Sequence, residues 1–123
     1  MDKTILAVDD SKTVRSSVQY TLSKNGYNVE LAENGQKALD LLDDIQNKPK
    51  MIITDINMPV MDGITFIKQV KQKTSFKFIP ILVLTTESQQ DKKMEGKKAG
   101  AAGWLVKPFK KEQLLKVVQK FVK

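Results

Sequence analysis

Four residue groups in this chain could do chemistry together: Asp9-Asp10, Asp55, Thr85-Thr86 and Lys107. Each closes a short apolar run. Ile5-Leu6-Ala7-Val8 leads into the first pair, Met51-Ile52-Ile53-Thr54 into Asp55, Ile81-Leu82-Val83-Leu84 into the threonines, and Trp104-Leu105-Val106 into Lys107-Pro108. Three carboxylates gathered at one place repel one another until a proton or a cation relieves them. Mg²⁺ suits such a site because it prefers oxygen ligands and keeps room for phosphate oxygens, with Mn²⁺ as the alternative ion. A hydroxyl donor on Thr85 and an ammonium on Lys107 would each bind an oxygen of a transferring phosphoryl group.

Elements must bring these side chains together. Strand-like apolar runs cover 4–8, 29–32, 51–54, 79–84 and 103–106, and helical spacing fills the gaps. Val14, Val18 and Leu22 line one helical face, which Asn25-Gly26 closes. Ala38, Leu41, Leu42 and Ile45 line a second after the start signal Asn34-Gly35, Ile64, Ile67 and Val70 a third, and Leu114, Val117, Val118 and Phe121 the last. The stretch 89–98 is weaker, with Met94 alone among Lys92, Lys93, Lys97 and Lys98. A helix with so little to bury is suited to movement or to partner binding, or is simply exposed. Alternating strands and helices predict an α/β fold, a (βα)5 three-layer sandwich around a parallel five-stranded sheet. Ligands of such sheets lie beyond the carboxyl ends of the strands.

Bulk properties narrow the chemistry. A chain of 123 residues fits one domain, and 41% hydrophobic with 28% charged residues reads as a soluble protein. No run approaches the ~20 apolar residues of a membrane helix, and no signal peptide or disulfide framework is visible, which fits the cytoplasm. With no histidine, the chain has neither a Ser-His-Asp triad nor a phosphohistidine of its own. Charge is uneven: residues 1–63 hold 7 Lys/Arg against 10 Asp/Glu, whereas residues 64–123 hold 14 against 4. The basic half suits an acidic partner or is a solvated lysine surface. A single arginine, Arg15, argues against a nucleic-acid module.

Taken singly, an Asp-Asp pair reads as a turn or cap, a Thr-Thr pair as a helix start and Lys-Pro as a loop. Taken together, Val8-Asp9-Asp10-Ser11, Thr54-Asp55-Ile56-Asn57-Met58-Pro59-Val60-Met61-Asp62-Gly63, Leu84-Thr85-Thr86-Glu87 and Val106-Lys107-Pro108-Phe109 resemble the receiver domain of two-component response regulators, in its stand-alone CheY-like form. The resemblance covers essentially the whole chain and implies the flavodoxin-like strand order 2-1-3-4-5. It implies one receiver domain over 1–123 with no output domain, and no enzyme activity beyond the chain's own phosphotransfer and autodephosphorylation.

By the same resemblance, Asp55 is the phosphoacceptor for a histidine kinase. Asp10 and Asp55 ligate Mg²⁺ through side chains and Asn57 through its backbone carbonyl, while Asp9 acts through water and charge. Thr85 and Lys107 bind phosphoryl oxygens, and the Lys107-Pro108 bond is cis. Gly63 matches a family glycine at the start of a helix. Trp104 stands where Tyr or Phe is usual in the family, as a switch residue that turns inward or as an exposed contact. Asn57 and Glu87 flank the path of a hydrolytic water and tune the phosphoryl lifetime, and Thr86 replaces a smaller residue. The expected partner face joins Lys92, Lys93, Lys97, Lys98 and Trp104 against an acidic target such as a flagellar motor switch component, with no nucleic acid, no membrane and a monomeric state. Alternative roles are a phosphorelay intermediate, a phosphate sink or twitching motility. A different class, the aspartate-nucleophile phosphohydrolase, is disfavoured because Asn57 stands where such enzymes need an acid.

Overall fold

The computed structural model describes residues 3–44 and 48–122. Its strands are β1 (Thr4–Val8), β2 (Asn28–Ala32), β3 (Met51–Thr54), β4 (Ile81–Thr85) and β5 (Gly103–Val106). They alternate with α1 (Lys12–Lys24), α2 (Gly35–Asp44), α3 (Gly63–Gln72), α4 (Gln90–Ala99) and α5 (Lys111–Phe121), and a 3₁₀ turn at Thr74–Phe76 follows α3. All strand pairs are parallel, in the order β2-β1-β3-β4-β5. This is the expected three-layer flavodoxin-like architecture.

Period-two alternation splits the central strands between two cores. Leu6, Val8, Ile52 and Val83 face one side with Ala38, Leu42, Phe66, Ile67 and Val70 of α2 and α3. Ile5, Ala7, Ile53, Leu82 and Leu84 face the other with Val18 and Leu22 of α1 and Leu114 and Val118 of α5. Each such large side chain, fully buried, contributes about 1.5–3 kcal/mol.

Helix starts follow the side chains placed there. Ser11 Oγ accepts from Val14 N–H, Asn34 Oδ1 from Lys37 N–H and Asp62 Oδ1 from Thr65 N–H. These are N-caps, each satisfying a donor that the first helical turn leaves over.

Four local expectations need correction. The strand expected over 79–84 starts at Ile81 and includes Thr85, because Ile79 N–H is spent on Phe76 O and Pro80 has no N–H to donate. The strand expected over 29–32 starts one residue earlier, at Asn28. β5 is a half-exposed edge strand and not a fully buried one, since among the described residues no strand covers its outer side. The 3₁₀ turn at Thr74–Phe76 was not expected at all. The reading of Ile45 as a core residue lies outside the described residues. As expected, α4 buries little of its surface, and its buried residue is Gly96.

Candidate functional site

The strand ladder extends one residue past its ends to place the acids. Asp9 N–H donates to Ala32 O at 3.1 Å, and Asp55 N–H to Val8 O at 3.0 Å. Asp9 and Asp55 are thereby fixed side by side and buried, while Asp10 stands exposed at the rim. One carboxylate oxygen from each of the three lies within 4.8 Å of the others. This set of hard oxygen donors fits a divalent cation of the Mg²⁺ or Mn²⁺ kind.

Lys107 is held from both ends. Its N–H donates to Thr85 O at 2.7 Å, and its Nζ donates to Asp9 Oδ2 at 2.7 Å and to Asp55 Oδ2 at 3.0 Å. Burial alone would pull the Lys107 pKa down, but the two carboxylates outweigh it and hold the ammonium above its usual range. Burial pushes Asp9 up, only partly offset by hydrogen bonds from Lys107 and from Ser11 N–H. Arg15 Nη1 donates to Asp9 O at 2.7 Å, a contact that sequence patterning did not single out. The Lys107-Pro108 bond is cis, as the resemblance implied.

Asp55 Oδ1 accepts from Ile56 N–H at 2.6 Å and, more weakly, from Asn57 N–H at 3.4 Å. Oδ2 faces Lys107. Gly63 explains how α3 approaches this residue: a Cβ built on it would lie 2.0 Å from Asp55 O and 2.8 Å from Ile56 Cα. Gly63 N–H donates to Ile56 O at 2.8 Å, so the glycine lets the helix start directly on the main chain of Asp55. The family resemblance implied a glycine at this helix start, and the close approach is the physical reason for it.

Thr85 is fully buried, and its Oγ1 accepts from Glu87 N–H at 3.2 Å, leaving its own proton to donate. Glu87 O accepts from Trp104 Nε1 at 3.0 Å. One peptide segment therefore touches the Thr85 hydroxyl on one side and the indole on the other. Trp104 is half-buried and lies on Gly96, where a Cβ would come within 2.7 Å of the ring. It is not a free exposed anchor. The Glu87 carboxylate accepts from Gln89 N–H at 3.2 Å, while Asn57 and Thr86 are exposed at the rim.

The expected four-lysine patch divides. Lys93 and Lys97 flank a groove of about 310 Å³ floored by Met94, Gly103 and Trp104. Lys92 reaches Glu95 at 3.9 Å, and Lys98 is exposed outside the groove lining. No helix among the described residues is long and apolar enough to cross a membrane.

Comparison with known proteins agrees with this geometry. Residues 5–119 match the family model described as the response regulator receiver domain. The chain is 42% identical over 111 residues to the response regulator MprA of Mycobacterium sp. (strain KMS), covering 90% of this chain and 46% of that protein. The chain thus spans about half the length of such curated relatives. It superposes on chemotaxis protein CheY4 of Vibrio cholerae with a TM-score of 0.92 and 48% identity, over 98% of this chain and 99% of that one. It also matches the receiver domain of sensor histidine kinase PA1611 from Pseudomonas aeruginosa, whose structure has a magnesium ion coordinated in the active-site cleft (TM-score 0.89, 25% identity, 99% and 98% coverage). The acidic triad, the lysine that bridges it, the strand order and the family match all converge: the chain belongs to the response regulator receiver domain family.

Proposed function

We propose that Asp55 accepts a phosphoryl group from the phosphohistidine of a partner kinase. The observation that carries this reading is the double contact of Lys107 with Asp9 and Asp55 beside the exposed carboxylate of Asp10. In the transfer, a carboxylate oxygen of Asp55 bonds to phosphorus as the donor's N–P bond breaks. The imidazole leaves and Asp55 becomes an acyl phosphate. Mg²⁺, held by Asp10 and Asp55 with the Asn57 carbonyl, would supply charge neutralisation for the phosphoryl oxygens. Asp9 keeps Lys107 in place, and Lys107 and Thr85 bind the oxygens of the product.

Phosphorylation adds roughly two negative charges. Hydrogen bonds to a charged group are worth about 1.5–3 kcal/mol each, so Thr85 and Lys107 together supply on the order of 3–6 kcal/mol. Moving a two-state equilibrium from 1:99 to 99:1 takes about 5.5 kcal/mol. Two contacts are thus nearly sufficient to switch the domain, and a partner that prefers the active state adds the remainder. The path outward is Thr85, the Glu87 peptide, Trp104 and the Lys93–Lys97 groove, where an acidic target segment docks. Asn57 and Glu87 set a phosphoryl lifetime of seconds to minutes.

Flagellar motor control in chemotaxis is the preferred setting, supported by the likeness to CheY4 over nearly the full length of both chains. The likeness to MprA favours a different setting, in which the same receiver chemistry controls another output. Phosphorelay, phosphate-sink and twitching-motility roles use the same site. The reading places the protein in the cytoplasm, where kinase and target are both accessible, and makes it a phosphorylated switch with no substrate turnover.

Treatment with acetyl phosphate and Mg²⁺ tests the reading. The expected result is gain of one hydroxylamine-labile phosphoryl group, lost in Asp55→Asn. Stable phosphorylation elsewhere, or steady hydrolysis of an aryl phosphate, would overturn it. A pull-down comparing beryllofluoride-bound protein with Asp55→Ala then identifies the target.

A further inference from the structure

Two grooves lie at the opposite end of the sheet from Asp55. One, of about 380 Å³, runs between Leu42, Asp43 and Lys73, and the other, of about 280 Å³, between Pro49, Lys50 and Phe78. They share Lys48, Thr74, Ser75 and Phe76 and so form one continuous channel. Phe78 stands at its margin with 89% of its surface exposed. Its neighbours in the chain, Phe76 and Ile79, are buried.

The loop that presents Phe78 is fastened. Lys71 Nζ donates to Ile79 O at 2.6 Å and to Lys77 O at 3.2 Å, gripping the carbonyls on both sides of the aromatic residue. Ile79 N–H returns to Phe76 O, and Ile52 N–H takes Pro80 O. The Lys71 stem lies within 3.0 Å of the position a Cβ would take on Gly100, so this lysine is packed as well as bonded. Lys77 Nζ sits 5.7 Å from the centre of the Phe78 ring. A large apolar ring held out on a fixed loop loses little conformational freedom on binding, which is how interface anchors gain affinity.

Charge determines what the ring would meet. Between Gly63 and Thr86 the sequence has Lys68, Lys71, Lys73 and Lys77 and no acidic residue, and Lys48 and Lys50 face the same channel. Among the described residues, the acidic side chain lining the channel is Asp43, paired with Lys73 at 3.0 Å. A nucleic-acid strand would need several aromatics to stack on and would meet the Asp43 carboxylate. One aromatic also gives a membrane little to bury. A short polypeptide with acidic residues around one large apolar side chain matches both the lysines and the single ring.

We propose that this end of the domain is a second docking surface, for an acidic segment of a partner protein anchored by an aromatic side chain against Phe78. It lies outside the path from Asp55 through Thr85 to Trp104. Occupancy is therefore independent of phosphorylation, and the surface tethers the domain to a partner while the other end switches.

The test uses the full chain, isotopically labelled, and a synthetic dodecapeptide of glutamates and aspartates with one central tryptophan. The peptide is expected to shift the amides of Lys48, Lys50 and residues 74–79. Phe78→Ser and Lys48→Glu should each weaken binding by about tenfold with unchanged thermal stability, and replacing the peptide's tryptophan with serine should do the same. Beryllofluoride should leave the affinity within about twofold, a free-energy change under ~0.5 kcal/mol. Absence of shifts at millimolar peptide, shifts confined to the Lys93–Lys97 groove, or a beryllofluoride effect beyond that range would overturn the proposal. So would equal or tighter binding of an oligothymidylate or of phosphatidylserine vesicles through the same residues.

Discussion

Trp104 Nε1 donates to Glu87 O at 3.0 Å, and through Glu87 N–H the same residue is joined to the hydroxyl of Thr85. Trp104 is the sole tryptophan, so indole emission reports on its surroundings, this link among them. Beryllofluoride with Mg²⁺ should shift that emission, and Asp55→Asn should abolish the shift. An unchanged spectrum, with binding shown by a second method, would mean that the site and the indole are uncoupled.

Asp10 is exposed while Asp9 and Asp55 are buried, so its removal should leave the fold intact and damage metal binding selectively. In Asp10→Ala, thermal stability without added metal should change by no more than about 0.5 kcal/mol. Mg²⁺ is expected to raise the melting temperature of the parent protein, reversibly on chelation, and that rise should be largely lost in Asp10→Ala. Undiminished stabilisation of Asp10→Ala by Mg²⁺ would remove Asp10 from the ligand set.

Gly63→Ala forces a methyl to within 2.0 Å of Asp55 O. Backbone on both sides must shift, at a cost of about 2–3 kcal/mol or more, measurable by urea unfolding. Because the displaced atom belongs to Asp55, phosphorylation by acetyl phosphate should slow even where the variant is fully folded.

Asp62 gives a pH-dependent cap. Partial burial would raise its pKa, but hydrogen bonds from Thr65 N–H and Oγ1 more than offset this and hold the carboxyl below its ordinary value of 3.8. A lowered pKa stabilises the fold above the unfolded-state value and is lost as pH falls through the folded-state value. Asp62→Ala should therefore cost about 1 kcal/mol at neutral pH. That difference should shrink on acidification below 3.8, whereas Asp62→Asn should show no such trend.

Val60 has φ of 72°, a left-handed conformation that a β-branched residue adopts at a cost, and it is 80% exposed. Val60→Asn removes strain without removing contacts, and should stabilise the protein by about 1 kcal/mol. Denaturant midpoints of the two proteins check this directly.

The strands were readable because a buried parallel strand is a near-continuous apolar run, and the site because each run ends in a polar side chain. Asp9, Asp55 and Lys107 could be placed at one edge from that pattern alone. Strand order and individual roles came from the family resemblance, since no local pattern states which strands are neighbours. Other features depend on packing at a distance. The fit of Trp104 on Gly96 joins residues of different elements, and a tryptophan after a glycine reads the same whether its ring is free or covered. The Lys71 clamp on 77–79 is equally silent, because lysine in a last helical turn already has a sufficient reason in the helix dipole.

Lys107 meets Asp9 across 98 positions of sequence and Asp55 across 52. No fragment lacking the last strand can assemble that trio, however well its earlier elements form. The two carboxylates are thereby held without their shared counter-charge in a nascent or frayed molecule, and Asp9 and Asp55 repel each other unbridged until the final edge of the sheet has closed.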